Sequence, residues 1–258
     1  MDRSFLSDAS VVAASRNFVC IRLATYEDRA EAEFMKSLYV GRSGQLENTT
    51  FAVLSSDGKQ KLTLAGRGPA RAFRGATNMA VELNRIATQH SGAKKAALTD
   101  AQLPLMKNLD VALNVAAADG LPLLVTVGDD KHQLDRVNQS LARFAWGTDL
   151  AGQFVYASAL DKKELKPVTG VEDGKQILLV EPGQFGLSGQ VLAQFTANEH
   201  AESIRSEMRK VIANFPRKHK DHGSHVRLGI QLGIEWESQI PETDPMSLRA
   251  KQRARGGR

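Results

Sequence analysis

Residues 48–66 carry two short β-rich runs, TFAVL and KLTLAG, on either side of Ser56-Asp57-Gly58-Lys59. Asp-Gly between such runs predicts a hairpin, because Gly supplies the positive φ that a tight turn demands. Upstream, Ser7 or Asp8 predicts the cap of a short helix to Arg16, and the apolar run Phe18–Ala24 predicts a strand. Tyr26–Tyr39 predicts a helix, with Ala30, Phe34 and Leu38 on one face and Glu27, Glu31 and Glu33 solvated. Gly41–Gln45 ends it. Downstream, Pro69 suits the first turn of a long amphipathic helix to His90, with Phe73, Val81, Leu83 and Ile86 on its apolar side.

Periodicity is lost over 91–103, which predicts a linker, and resumes over 104–215. There a helix, Leu109–Ala118, is stopped by Gly120-Leu121-Pro122. The unbroken apolar run Leu123–Val127 predicts a strand covered on both faces. Asp129 or Asp130 caps a helix to Trp146 with Leu134, Val137, Leu141 and Phe144 at helical spacing. A strand at Phe154–Ala159 and a second hairpin, Gln176–Val180 with Gln190–Phe195 around Pro182-Gly183, follow. A helix from Asn198 to Phe215 turns Ile204, Met208, Val211 and Ile212 inward. In residues 216–258 the alternation Leu228, Ile230, Leu232, Ile234 predicts an added strand over Val226–Trp236. The two units share one order of elements, the first lacking an opening strand.

Composition narrows the class. At 258 residues, with 42% hydrophobic and 24% charged positions, the chain is ordinary for a globular protein and can bury real cores. No apolar run approaches the roughly 20 residues that cross a bilayer, so no membrane span is expected. The net charge of +5 sits mostly in the tail, where nine Lys/Arg face five Asp/Glu after Phe215. A nearly neutral body argues against a nucleic-acid face there and leaves the run Arg249–Arg258 as the place for an anionic partner. The one cysteine, Cys20, reads as a buried thiol within an apolar strand. Met1–Val12 shows no signal-peptide pattern, so the chain as written is expected in the cytoplasm, or in the periplasm or outside the cell if a signal has been removed upstream.

MDRSFLSDASVVAASRNFVCIRL, followed by NTTFAVLSSDGKQ, resembles the thioredoxin-like superfamily: the helix after an active-site CxxC, the second strand, then the third strand and its Asp-Gly turn. Residues 104–215 resemble a second, divergent unit. The resemblance implies an α/β fold of two tandem three-layer thioredoxin-like units, 1–90 and 104–215, with no cofactor. It places the family's cysteine pair a few residues before Met1. In the second unit it places Asp129-Asp130-Lys131-His132 at the corresponding position. The cis-proline slot falls on Thr49 or Thr50, and near Gly174 in the second unit.

Three sets of residues are candidate sites. Asp129, Asp130 and His132 open a helix after a strand, where this fold does chemistry, although capping also accounts for both aspartates. His219, His222 and His225 are spaced like metal ligands, but a hydrophilic linker is the favoured reading, since Lys and Arg on both sides disfavour a cation. Gly41–Gly44 and Gly66–Gly68 resemble phosphate loops but lack the P-loop spacing, which favours turns. Without a dithiol, the expected function is a redox-inactive protein- or peptide-binding scaffold. The alternatives are a thiol–disulfide oxidoreductase whose CxxC lies upstream of Met1, and an adaptor for anionic surfaces or nucleic acid acting through the basic tail. The unpaired strand also offers a route to a homo-oligomer.

Overall fold

Side-chain caps start most of the helices where the sequence places them. Asp8, Asp28, Asn108 and Asp130 accept backbone N–H groups at the starts of α1 (Ala9–Ser15), α2 (Arg29–Leu38), α4 (Leu109–Asp119) and α5 (Lys131–Ala145). Gly75 precedes α3 (Ala76–Gln89), and Gly120 ends α4 at φ 65°, the left-handed conformation a C-terminal glycine adopts freely. The computed structural model describes residues 2–23, 25–42, 44–47, 49–90, 101–147, 149–216 and 221–234, with isolated positions at 243, 248–249 and 252–253. The chain divides into two compact units, Met1–Lys94 with Trp236–Arg258, and Lys95–Glu235.

The second unit is built on a five-stranded mixed sheet. Its strands are β1 (Leu123–Val127), β2 (Val155–Ala159), β3 (Val168–Thr169), β4 (Ile177–Pro182) and β5 (Gly189–Phe195), in the order β2-β1-β4-β5-β3. β1 runs parallel to β2 and antiparallel to β4, β4 pairs antiparallel with β5, and β3 lies parallel to β5. The central strands β1 and β4 are the continuous apolar runs, because helices cover both of their faces. On one face Leu123, Val125, Leu178 and Val180 pack against Leu109, Ala112, Leu113 and Ala116 of α4. On the other, Leu124, Tyr156, Ile177 and Leu179 meet Val137 and Leu141 of α5 and Ile204, Met208 and Val211 of α6 (Ala201–Asn214). The unit is therefore a three-layer α/β/α sandwich. Each fully buried Leu in it contributes about 1.5–3 kcal/mol.

One residue of β5 is out of register. Val191 pairs with Val180 and Ala193 with Leu179, so Leu192 bulges. Residues two apart would share a face in a regular strand. The bulge instead turns Val191 to the α4 side and Ala193 and Phe195 to the α5/α6 side.

The first unit packs α1 and α3 together through Val11, Ala14, Met79, Leu83 and Ile86. The predicted hairpin lies against them, with Phe51 edge-on to Phe73 at 6.0 Å. It is held by Phe51–Gly66 and Leu54–Lys61 bridges around Gly58, whose φ is 72°. Between those bridges the pairing is irregular. Val53 donates to the Thr63 hydroxyl at 3.2 Å instead of to a carbonyl.

Five expectations are corrected. Phe18–Leu23, the described part of the predicted Phe18–Ala24 strand, forms none. Phe18 joins the α1/α3 core, but Val19 and Ile21 are 65% and 74% exposed. A strand needs a ladder, and among the described residues no β-bridge is made to this run. Cys20 is accordingly exposed, not buried. On α2 the buried residue is Ala32, while Ala30 and Phe34 face solvent, and Val81 of α3 is exposed as well. The added strand expected at Val226–Trp236 is instead helical as far as Gln231, in α7 (His222–Gln231), which Asp221 caps through the Ser224 N–H. The Asp221 cap and the i→i−4 bonds of the helix outweigh the alternating pattern of the run.

Candidate functional site

The carboxyl ends of the parallel pair β1 and β2 gather the second-unit candidates. β1 is flanked there by a parallel strand on one side and an antiparallel one on the other, the kind of place where open α/β sheets accept ligands. Gly128 donates to the Ala159 carbonyl at 3.1 Å as the chain leaves the sheet. A Cβ on Gly128 would lie 2.9 Å from the Leu134 Cβ, so only glycine lets the turn close onto α5. Asp130 accepts the Gln133 N–H at 2.8 Å, and the Asp129 N–H donates to Gln133 Oε1 at 2.8 Å. This reciprocal cap takes up the Asp130 carboxylate, and His132 is left exposed in the first turn.

The fold adds residues that the sequence did not single out. Lys162 pairs with Asp173 at 2.8 Å. The Asp173 hydrogen bond, with its charge, raises the lysine's pKa, to which Asp129 also contributes, while Lys162 lowers that of Asp173. Asp161 and Glu164 close a capping box on the turn that carries Lys162. The spacing D-x-x-E at 161–164 was the available signal. Asp129, Lys162 and Asp173 thus make an exposed charged rim, and among the described residues no nucleophile is paired with a base along it.

Beneath the rim lies a polar knot. The Thr126 hydroxyl, fully buried, is 2.7 Å from Asn138 Oδ1 and 2.8 Å from Ser158 Oγ, and Asn138 Nδ2 donates to Ser158 Oγ at 3.2 Å. It joins β1, β2 and α5 at one point. Farther along the α5/α6 face the Tyr156 phenol is buried, and burial pushes its pKa above the ordinary value.

In the first unit, Thr49 and Thr50 lead into the hairpin, and no peptide bond among the described residues is cis. In the second, Gly174 occupies a turn at φ 77°. The two glycine loops are joined by an acid. The Glu47 carboxylate sits where a Gly41 Cβ would be and pairs with Arg67 at 3.3 Å. A carboxylate already fills that place, which argues against a phosphate cradle. The Cys20 sulfur lies 4.0 Å from the Ser15 carbonyl, and surrounding protein atoms raise its pKa.

His219 lies outside the described residues, as does the side chain of His222. His225 stacks on Phe185 of the β4–β5 loop, ring centres 4.6 Å apart. Among the described residues no three His, Cys, Asp or Glu side chains are grouped to hold a metal ion. Nor, among them, is any helix long and apolar enough to cross a membrane. Most of the run Arg249–Arg258 also lies outside the described residues.

The described surface also carries open grooves. One, of about 540 Å³, lies between β5 and α6. Another, of about 600 Å³, lies in the first unit between the end of α2 and residues 61–65. No protein-family model, curated protein or solved structure matches the chain.

Proposed function

We propose that the protein is a thioredoxin-like scaffold that binds a protein or peptide and performs no dithiol exchange in its second unit. The order α4–β1–α5–β2–β4–β5–α6 supports the fold reading: strand, helix, strand, then an antiparallel hairpin and a closing helix. The observation that carries the functional reading is the β1–α5 junction. Redox members of that superfamily need a low-pKa thiolate at this helix start. Here Asp130 caps the helix, and residues 95–235 contain no cysteine.

Two assays test it. Insulin reduction by dithiothreitol should run at the uncatalysed rate in the protein's presence. A permanently unfolded, carboxymethylated protein should bind saturably in a calorimetric titration. Catalysed insulin precipitation that Cys20→Ser abolishes would turn the reading to an oxidoreductase, and no binding to the unfolded chain would remove the scaffold.

A further inference from the structure

We infer that the groove beside residues 61–65 is the peptide-docking edge, and that it takes an extended segment bearing acidic side chains as an added strand. This rests on the scaffold reading above and assigns it a site. The groove is walled by Leu38 and Tyr39 at the end of α2 and by the residues from Lys61 to Ala65.

Lys61 and Leu54 form the non-hydrogen-bonded pair of the hairpin, since the ladder bonds on either side run from Ser55 to Gln60 and from Leu62 to Val53. In such a pair the residue's own N–H and C=O point away from its partner strand. Among the described residues the backbone groups of Lys61, Thr63, Leu64 and Ala65 make no hydrogen bond. Leu64, 67% exposed, lies uncovered on the same run. An open edge with an apolar side chain and a groove beside it is the arrangement that accepts an added strand, main-chain bonds giving affinity and side-chain pockets selecting the sequence.

Charge decides which strand. Among the described residues Lys61 is the one charged side chain lining the groove, and its ammonium donates to the Leu38 carbonyl at 3.2 Å, which anchors it at the rim. The Arg71 guanidinium lies over the Tyr39 ring, 5.8 Å from its centre. A lining ammonium, a guanidinium over the ring of the lining Tyr39, and no lining carboxylate among the described residues favour an acidic segment over a basic one. The β5–α6 groove is lined differently, with Glu202 and Glu207 among its walls, and suits this ligand less well.

The test uses the full chain and two capped heptapeptides, one alternating Val and Glu, the other alternating Val and Lys. Amide exchange read by mass spectrometry should slow over 61–65 with the Glu peptide and remain unchanged with the Lys peptide. Lys61→Glu should weaken the Glu peptide roughly tenfold while leaving the circular dichroism spectrum intact. Leu64→Asp, at an exposed position, gives a second variant that should also weaken binding. Equal affinity for both peptides, or protection confined to the β5–α6 groove, would overturn the inference and leave the scaffold standing. If neither these peptides nor the unfolded protein bound anywhere, both would fall.

Discussion

Asp149 accepts two hydrogen bonds from one guanidinium, Arg205 Nη2 at 2.8 Å and Nε at 3.2 Å, and a third from Arg209 Nε at 2.7 Å. The contact ties the turn after α5 to α6, and Gly147 leaves room for it, since a Cβ there would lie 2.8 Å from Asp149 Oδ1. Arg205 first, and then Arg209, hold the Asp149 carboxyl well below the usual carboxylate range. A depressed folded pKa contributes stability above the unfolded pKa, near 4, and loses it as pH falls toward the folded value. Asp149→Asn should therefore cost about 1–2 kcal/mol in urea unfolding at pH 7, discounted for the pair's partial exposure. The difference from wild type should shrink progressively below pH 4. A pH-independent difference would mean that the carboxylate's charge is not the source.

Gly186 sits at φ 68° against the backbone of α4, where an added Cβ would meet Asn114 Cα at 2.5 Å and the Leu113 carbonyl at 2.7 Å. Neither atom is the end of a flexible side chain. Gly186→Ala should cost about 2–4 kcal/mol, strain and clash together. Gly174, at φ 77° with open space around its missing Cβ, isolates the strain, and Gly174→Ala should cost about 1 kcal/mol. Equal losses in chemical denaturation would refute the close approach.

The Leu192 bulge makes an unusual deletion prediction. Removing Leu192 leaves Val191 and Ala193 adjacent and still on opposite faces, so the melting temperature should change by only a few degrees. Removing Gln194 rotates Phe195 away from the α5/α6 core and should lower it several times further. Similar effects of the two deletions would contradict the assigned register.

The Thr126, Asn138 and Ser158 knot should behave as one unit. Thr126→Val and Ser158→Ala should each cost about 1–2 kcal/mol by stranding the amide of Asn138. The double variant should cost less than their sum by at least roughly 0.5 kcal/mol. Additive losses would show three independent polar groups.

Cys20, being exposed, should take up one equivalent of Ellman's reagent without denaturant. Its raised pKa leaves less thiolate at a given pH, so the rate at pH 8 should fall below that of a free peptide thiol and keep rising into the alkaline range. A thiol silent until unfolding would restore the buried reading.

Much of this architecture was legible before any coordinates, and the reason is local. Leu123–Val127 is apolar on both faces and short, and it is a central strand. Asp130 and the spacing of Leu134, Val137 and Leu141 define a capped amphipathic helix, and the helix is there. Asp57-Gly58 calls for a positive φ, and the chain turns at that point. In each case the residues concerned hold the instruction among themselves, in periods of two or 3.6 and in caps that reach three residues. The candidate rim was half legible: Asp129 and Asp130 announced a helix start, but the pairing of Lys162 with Asp173 joins loops separated by a strand and required the sheet.

Tertiary structure decided whatever depended on a neighbour. FVCIRL has every local mark of a strand, yet Val19 and Ile21 face solvent because a ladder needs a second backbone, which no pattern within the run can supply. VRLGIQL alternates as a strand would but winds into α7, where His225 stacks on Phe185 and the small Gly229 lies against the same ring. The face-switching bulge at Leu192 and the open edge at Lys61–Ala65 are likewise properties of pairs of segments. Propensity is worth about 1 kcal/mol per residue at most, and burial against a partner outweighs it several-fold.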